Sequence, residues 1–318
     1  MRRHKLLFSF IFPLSLLFSC NYGMEVEDLK FSVIASEEEV MAGDSIVFTF
    51  DGNAEYISLW TGEVYSDYDY RNGRQVEAGW QYLMSFNSKI IRGIQQDQLA
   101  VFVSNSFDGN YSDYENLIHS QWIDITSRFD WASDSKDTYS GQCDMSEFIH
   151  SAKPLYLAFR YRTLPQADNG ASKNWMISNL FISNVTDELG ELPVYDIPKL
   201  GFTVVDPFSR TDAAGNCAVS GTQLSFLGPT GVLNSQDQLI YPDEASEQWV
   251  VSAPIYFEKI INLGPDSPLA VKGFMQSDIK SYSYAYAEPG DYLAVFVASN
   301  QNISHKKEVI KTIKITVK

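Results

Sequence analysis

A chain of 318 residues carrying a formal charge of −16 has room for about two domains of ordinary size, and it repels other polyanions. Nucleic acid and an anionic membrane surface are thereby excluded as electrostatic partners, and a solvated acidic surface accounts for the charge. Aromatic content is 14%, Gly and Pro are scattered, and no stretch sustains a helical period; short runs between turn residues make an all-β profile.

The first twenty residues, MRRHKLLFSFIFPLSLLFSC, begin with Arg2, Arg3 and Lys5 and continue in an apolar stretch too short to span a bilayer stably. With Leu17-Phe18-Ser19-Cys20 at its end, this segment resembles a bacterial lipoprotein signal. The resemblance implies that residues 1–19 are removed and that Cys20 is acylated as the first residue of the mature chain. Several acyl chains hold a protein firmly on a membrane where one does not. Residues 20–29 then form a tether, whose Glu25, Glu27 and Asp28 resemble the surface-export signal of Bacteroidetes lipoproteins.

Residues 30–75 carry the first strands. Phe31-Ser32-Val33 is followed by SIVFTF, in which Ile46, Phe48 and Phe50 share one face, and then by EYISLWTGE. Turns at Ala42-Gly43-Asp44 and Asp51-Gly52-Asn53 separate them. Three further strands lie at the other end, within 246–318: Tyr282, Tyr284 and Tyr286 alternate with Ser283 and Ala285, Pro289-Gly290 turns into Leu293–Val297, and Ile313, Ile315 and Val317 alternate with polar residues. Neither set closes a sandwich alone. Together they supply one immunoglobulin-like sandwich, and Tyr292 just after the Gly turn resembles the tyrosine corner of such folds. The expected architecture is a discontinuous Ig/PKD-like β-sandwich with a second domain inserted at 76–245. Such insertion is cheap where both ends emerge at one surface loop.

The order of the inserted segments resembles the galactose-binding-like jelly rolls of secreted bacterial modules: LAVFVSNSFDGNYSDYENL, SQWIDITSRFDWASDS, SGQCDMSEFI, KPLYLAFRYRT and NWMISNLFISNV. WMISNLFI is apolar enough for a central strand covered on both faces. A PKD/Ig-like domain split around a jelly roll, behind a lipobox, resembles the lipoproteins of polysaccharide-utilisation loci in Bacteroidetes. YISLWTGE, SNSFDG, WIDITSRFDWAS, LAFRYR and YSYAYAEPGDYLAVFVASN carry that resemblance. It implies a cell-surface glycan-binding protein of the SusE/SusF kind on the outer membrane, beside a TonB-dependent transporter and holding a polysaccharide or oligosaccharide. Fold does not fix function, and a structural or adhesive lipoprotein whose jelly roll binds protein is the alternative.

Catalysis finds little support. His119, His150 and His305 stand in unrelated contexts, and the G-x-S-x-G elbow, P-loop and dinucleotide patterns do not occur. Glycan binding needs aromatic faces for sugar C–H surfaces and polar side chains for hydroxyls. Among the six tryptophans, Trp60 and Trp175 read as core, and Trp249 as packing where the insert rejoins the sandwich. Trp131 lies among Asp130, Ser133, Asp134 and Ser135 and is the first platform candidate. Tyr111, Tyr114, Trp80, Trp122 and Tyr68 follow, drawn from YSDYDYRNG, NYSDYEN and the flanks of strands. Asp108 and Asp113 offer oxygen ligands for calcium without matching a calcium-loop template; hydrogen-bonded turns explain them as well. Cys143 and Cys217 either pair, restricting the unfolded chain by roughly 4 kcal/mol, or are two separate buried thiols.

Overall fold

The computed structural model describes residues 25–150, 153–206, 216–229 and 245–318, with short pieces at 232–233, 235–236 and 239–240. The expected signal at 1–19 and the expected acylation site, Cys20, lie outside the described residues. The chain divides into two units: residues 1–74 with 264–318, and residues 75–263. Both are all-β sandwiches.

In the first unit one sheet orders Phe31–Ala35, Ser45–Gly52 and Ser281–Ala285. The facing sheet orders Glu39–Val40, Lys306–Val317, Gly290–Gln301, Tyr56–Trp60 and Leu269–Lys272. Alternation in SIVFTF dictates the core: Phe48 and Phe50 meet Phe296 of the opposite sheet edge-on, with centroids 4.9 and 5.5 Å apart. Gly52 is obligatory at its turn. Its φ is +132°, and a Cβ there would stand 2.0 Å from the Lys30 carbonyl oxygen.

Ser281–Ala285 and Gly290–Gln301 are not neighbours, although the turn at Pro289-Gly290 suggests a hairpin. The first pairs with Ser45–Gly52 and the second with Tyr56–Trp60 and Lys306–Val317, so residues 286–289 cross between sheets. Aromatic packing makes that corner. The Tyr292 hydroxyl donates to the Glu288 carbonyl at 2.9 Å, its ring stacks on Tyr286 at 4.4 Å, and the buried Tyr286 hydroxyl donates to the Thr61 carbonyl.

The second unit packs two antiparallel sheets face to face. One runs Cys143–Asp144, Gln81–Ile90, Trp175–Thr186, Gln223–Leu227, Asn216–Val219, with Gly190–Asp196 beside Trp175–Thr186 and Thr138–Tyr139 beside Gln81–Ile90. The other runs Thr203–Val205, Ser246–Val251, Tyr156–Thr163, Leu99–Ser104, Ile123–Asp124. Met84, Phe86 and Ile182 of the first sheet meet Val101, Leu157 and Phe159 of the second in the main core.

The insert ends at 263 rather than at the expected 245. Ser246–Val251 lies between Thr203–Val205 and Tyr156–Thr163 and is buried on both faces, which only a central strand can be. Trp249 therefore packs within the insert. WMISNLFI shows the converse difference. Its inner residues Ile177, Leu180 and Ile182 are buried, whereas Phe181 and Asn179 on the strand's outer side are exposed.

The chain leaves the first unit along Arg74–Glu77 and returns along Ile260–Gly264, and these strands pair with each other. Just inside the first unit, Arg74 donates from Nε and Nη2 to both oxygens of Asp266, at 3.0 and 2.8 Å. The two side chains are 4% and 1% exposed, so the pair is buried and bidentate. The Tyr70 ring lies 3.6 Å beneath the guanidinium. The Asp67 backbone N–H also donates to Asp266. Burial alone would raise the Asp266 pKa; the bonds from Arg74 and the backbone outweigh it and hold the carboxyl below its ordinary range.

Candidate functional site

Segment 105–122 explains most of the candidate aromatics. Leu99–Ser104 is buried on both faces, so the outer face of its sheet needs a cover. That cover is the loop after it and the short helix Tyr114–His119. Phe107, Leu117, Tyr111, Tyr114 and Trp122 pack there against Phe102, Tyr156 and Trp249 as a second core. Polar ends are matched too: the Tyr111 hydroxyl donates to the Ser252 carbonyl at 2.8 Å, Tyr114 to Glu247 at 3.3 Å, and the Trp122 indole N–H to the Leu117 carbonyl at 2.7 Å. Burial pushes the Tyr111 and Tyr114 phenols up to about 12. Tyr111, Tyr114 and Trp122 are thus half-buried packing residues, not an open platform.

Trp131 is also committed. Its ring lies 5.3 Å from Phe86 and 5.7 Å from Trp175 over the main core, and its indole N–H donates to the Thr126 carbonyl. Tyr68, in the first unit, meets Trp60 edge-on and lies under the Arg71 guanidinium. Asp108 accepts from the Asn110 N–H and the Asn116 amide, while Asp113 caps the helix by accepting from the Asn116 N–H. Among the described residues no group of His, Cys, Asp and Glu is arranged to hold a metal ion.

A disulfide is excluded by register. Cys143 and Cys217 sit on the two opposite edge strands of one sheet, four inter-strand steps or about 19 Å apart, where a bridge needs Cα atoms within about 7 Å. Both are buried and outside any disulfide.

Trp80 is different: 98% of its surface is exposed. The backbone on either side of it is nevertheless held. The buried Asn184 accepts from the Gly79 N–H at 2.8 Å and donates to the Gly79 and Gln81 carbonyls at 2.9 and 3.2 Å. Gly79 permits that approach, because a Cβ there would fall 1.8 Å from the Val185 carbonyl oxygen. The result is a bare indole on a clamped strand end.

Beyond Trp80 the edge of the sheet is polar. A groove of about 370 Å³ is lined by Arg128, Gln142, Cys143, Asp144, Ser146 and Glu147. Gln81, next to Trp80, donates to Asp144 at 3.2 Å. Asp144 also accepts from the side chain and backbone of Ser146, and these bonds hold its carboxyl below the ordinary range. Arg128 pairs with Glu147 and lies 5.0 Å over the Phe148 ring. Gln142 donates to Glu191 at 2.9 Å. The Cys143 thiol is pushed up by burial and serves as floor. Along the same outer face, Ser85, Asn87 and Lys89 alternate with the buried Phe86 and Ser88, and half-exposed Tyr139 pairs across from Asn87.

Sequence reasoning reached Trp80 but missed Arg128, Gln142, Asp144, Ser146 and Glu147. A signal existed: in GQCDMSE, Gln142, Asp144 and Ser146 alternate with the buried Cys143 and Met145, the period of a half-exposed strand edge. No helix among the described residues is long and apolar enough to cross a membrane. A family model described as a domain of unknown function, DUF5017, matches residues 19–202, more than half of the chain. No curated protein matches.

Proposed function

The chain belongs to the DUF5017 family, and we propose that it is a non-catalytic surface lipoprotein that retains a polysaccharide or oligosaccharide for uptake. The observation that carries the reading is Trp80, a fully exposed indole on a clamped strand end, one residue before Gln81, which bonds to Asp144 of the polar groove. A sugar ring stacks its C–H face on such an indole, and its hydroxyls exchange hydrogen bonds with amides, carboxylates and a guanidinium. Gln81, Gln142, Asp144, Ser146 and Arg128 supply those groups. The acyl anchor at Cys20 would keep the site at the outer membrane, where a TonB-dependent transporter is the expected partner.

Affinity electrophoresis of the protein through gels containing single polysaccharides tests this. Retardation by at least one glycan is expected. Trp80→Ala should weaken it by about 1–3 kcal/mol while leaving the melting transition unchanged, because the ring is almost wholly exposed. A Trp80→Ala protein retarded as strongly as wild type, or a wild type retarded by no glycan, overturns the reading.

A further inference from the structure

One end of the first unit carries apolar side chains that no core uses. Tyr56 opens its strand level with Ser299, and Gln301 pairs with Lys306 across the next hairpin. Leu269–Lys272 runs antiparallel to Tyr56–Trp60, so the turn after Lys272 emerges at the same end. Phe274 is 60% exposed, Met275 91% and Ile303 102%, and Phe274 stacks on Tyr56. Two loops on either side of the Tyr56–Trp60 strand thus present three large apolar side chains to solvent at one end. Isolated exposed residues need no explanation, but a cluster on a strongly acidic chain does.

The polypeptide enters the unit at that same tip. Asn53, in the turn before Tyr56, donates to the Asp28 carbonyl at 2.9 Å and accepts from the Lys30 N–H at 2.8 Å, and Lys307 beside Ile303 pairs with Asp28. From Cys20 to Asp28 the fully extended chain spans about 27 Å. An acyl group on Cys20 would therefore keep this end within about 27 Å of the bilayer. The connections to the insert leave at the opposite end, beyond Trp60 and Leu269.

We propose that this tip is a membrane-contacting surface, with Phe274, Met275 and Ile303 dipping into the lipid beside the anchor. It rests on the lipid anchor of the proposed function. The attraction is apolar, so the chain's net negative charge does not oppose it at a neutral surface. An acyl chain holds the protein down but leaves its orientation free; three apolar contacts at one end would fix it upright.

Full-length acylated protein carrying Met275→Cys, Ile303→Cys or Val64→Cys can be labelled with an environment-sensitive fluorophore. Cys143 and Cys217 are buried, and Val64 lies exposed beyond Trp60 at the other end. The labelled proteins are reconstituted on phosphatidylcholine vesicles with a nitroxide-bearing lipid. Probes at 275 and 303 should lose at least half their emission, and the probe at 64 almost none. Equal quenching at all three positions, or none at 275 and 303 on protein that floats with the vesicles, overturns the orientation alone. Protein that fails to float overturns the anchor, and the proposal with it.

Discussion

Replacing Asp266 by Asn leaves Arg74 charged, 4% exposed and without its bidentate partner. Breaking one side of a buried pair costs about 3–5 kcal/mol, chiefly because the remaining charge is uncompensated. The Tyr70 ring at 3.6 Å and the Asp67 carboxylate at 4.0 Å remain to offset part of that, which favours the low end, about 3 kcal/mol. For a domain of about 100 residues this lowers the midpoint by about 12 °C. Calorimetric melts of wild type and Asp266→Asn at pH 7 measure it. Acid gives an independent check. The folded carboxyl sits below its usual range, so its contribution is complete above the unfolded pKa near ~3.9 and is lost as pH falls through the folded value. Wild type should therefore lose stability below about pH 4 by an increment that Asp266→Asn lacks. A variant melting within about 3 °C of wild type at pH 7, or sharing its full acid loss, would refute the reasoning.

Trp131→Ala should cost about 2 kcal/mol of stability, since the ring lies on Phe86 and Trp175; a chemical-denaturation midpoint equal to wild type would count against this. Tyr292→Phe should cost about 1 kcal/mol through the lost bond to Glu288, read by the same denaturation curves. Cys143 and Cys217 should both be alkylated in denaturant without prior reduction, and mass spectrometry finding a linked peptide pair would contradict the register.

Strand patterning was legible where one face is buried and the other wet. SIVFTF named its own core residues, and Tyr292 announced the corner it makes. Reading failed where a face carries a second cover. The loop aromatics Tyr111, Tyr114 and Trp122 look like solvent-facing polar-loop residues until the unbroken apolar run of Leu99–Ser104 is seen to demand a lid. The same physics moved the second boundary, because the doubly buried Ser246–Val251 needed two neighbours that only the insert provides. Arg74 and Asp266 are 192 residues apart, and no local pattern links them. The groove at Asp144 was faint for a different reason: its alternation runs only over residues 142–146, and Arg128 and Glu147 come from two single turns of helix that carry no pattern of their own.

The opposed entry and exit of the first unit have a mechanical meaning. Tension between Cys20 and a ligand held by the insert would pull at Phe31 in one direction and at Trp60 in the other, along the strand axes. The five residue pairs joining Phe31–Ala35 to Ser45–Gly52 would then be loaded together in shear rather than peeled one at a time. Resistance to such a load is set by the unfolding barrier, not by equilibrium stability. Pulling single molecules from residue 25 and residue 75 should therefore give a higher rupture force than pulling from residue 25 and residue 303, which emerge at the same end of the unit, and equal forces would show that the strands do not share the load.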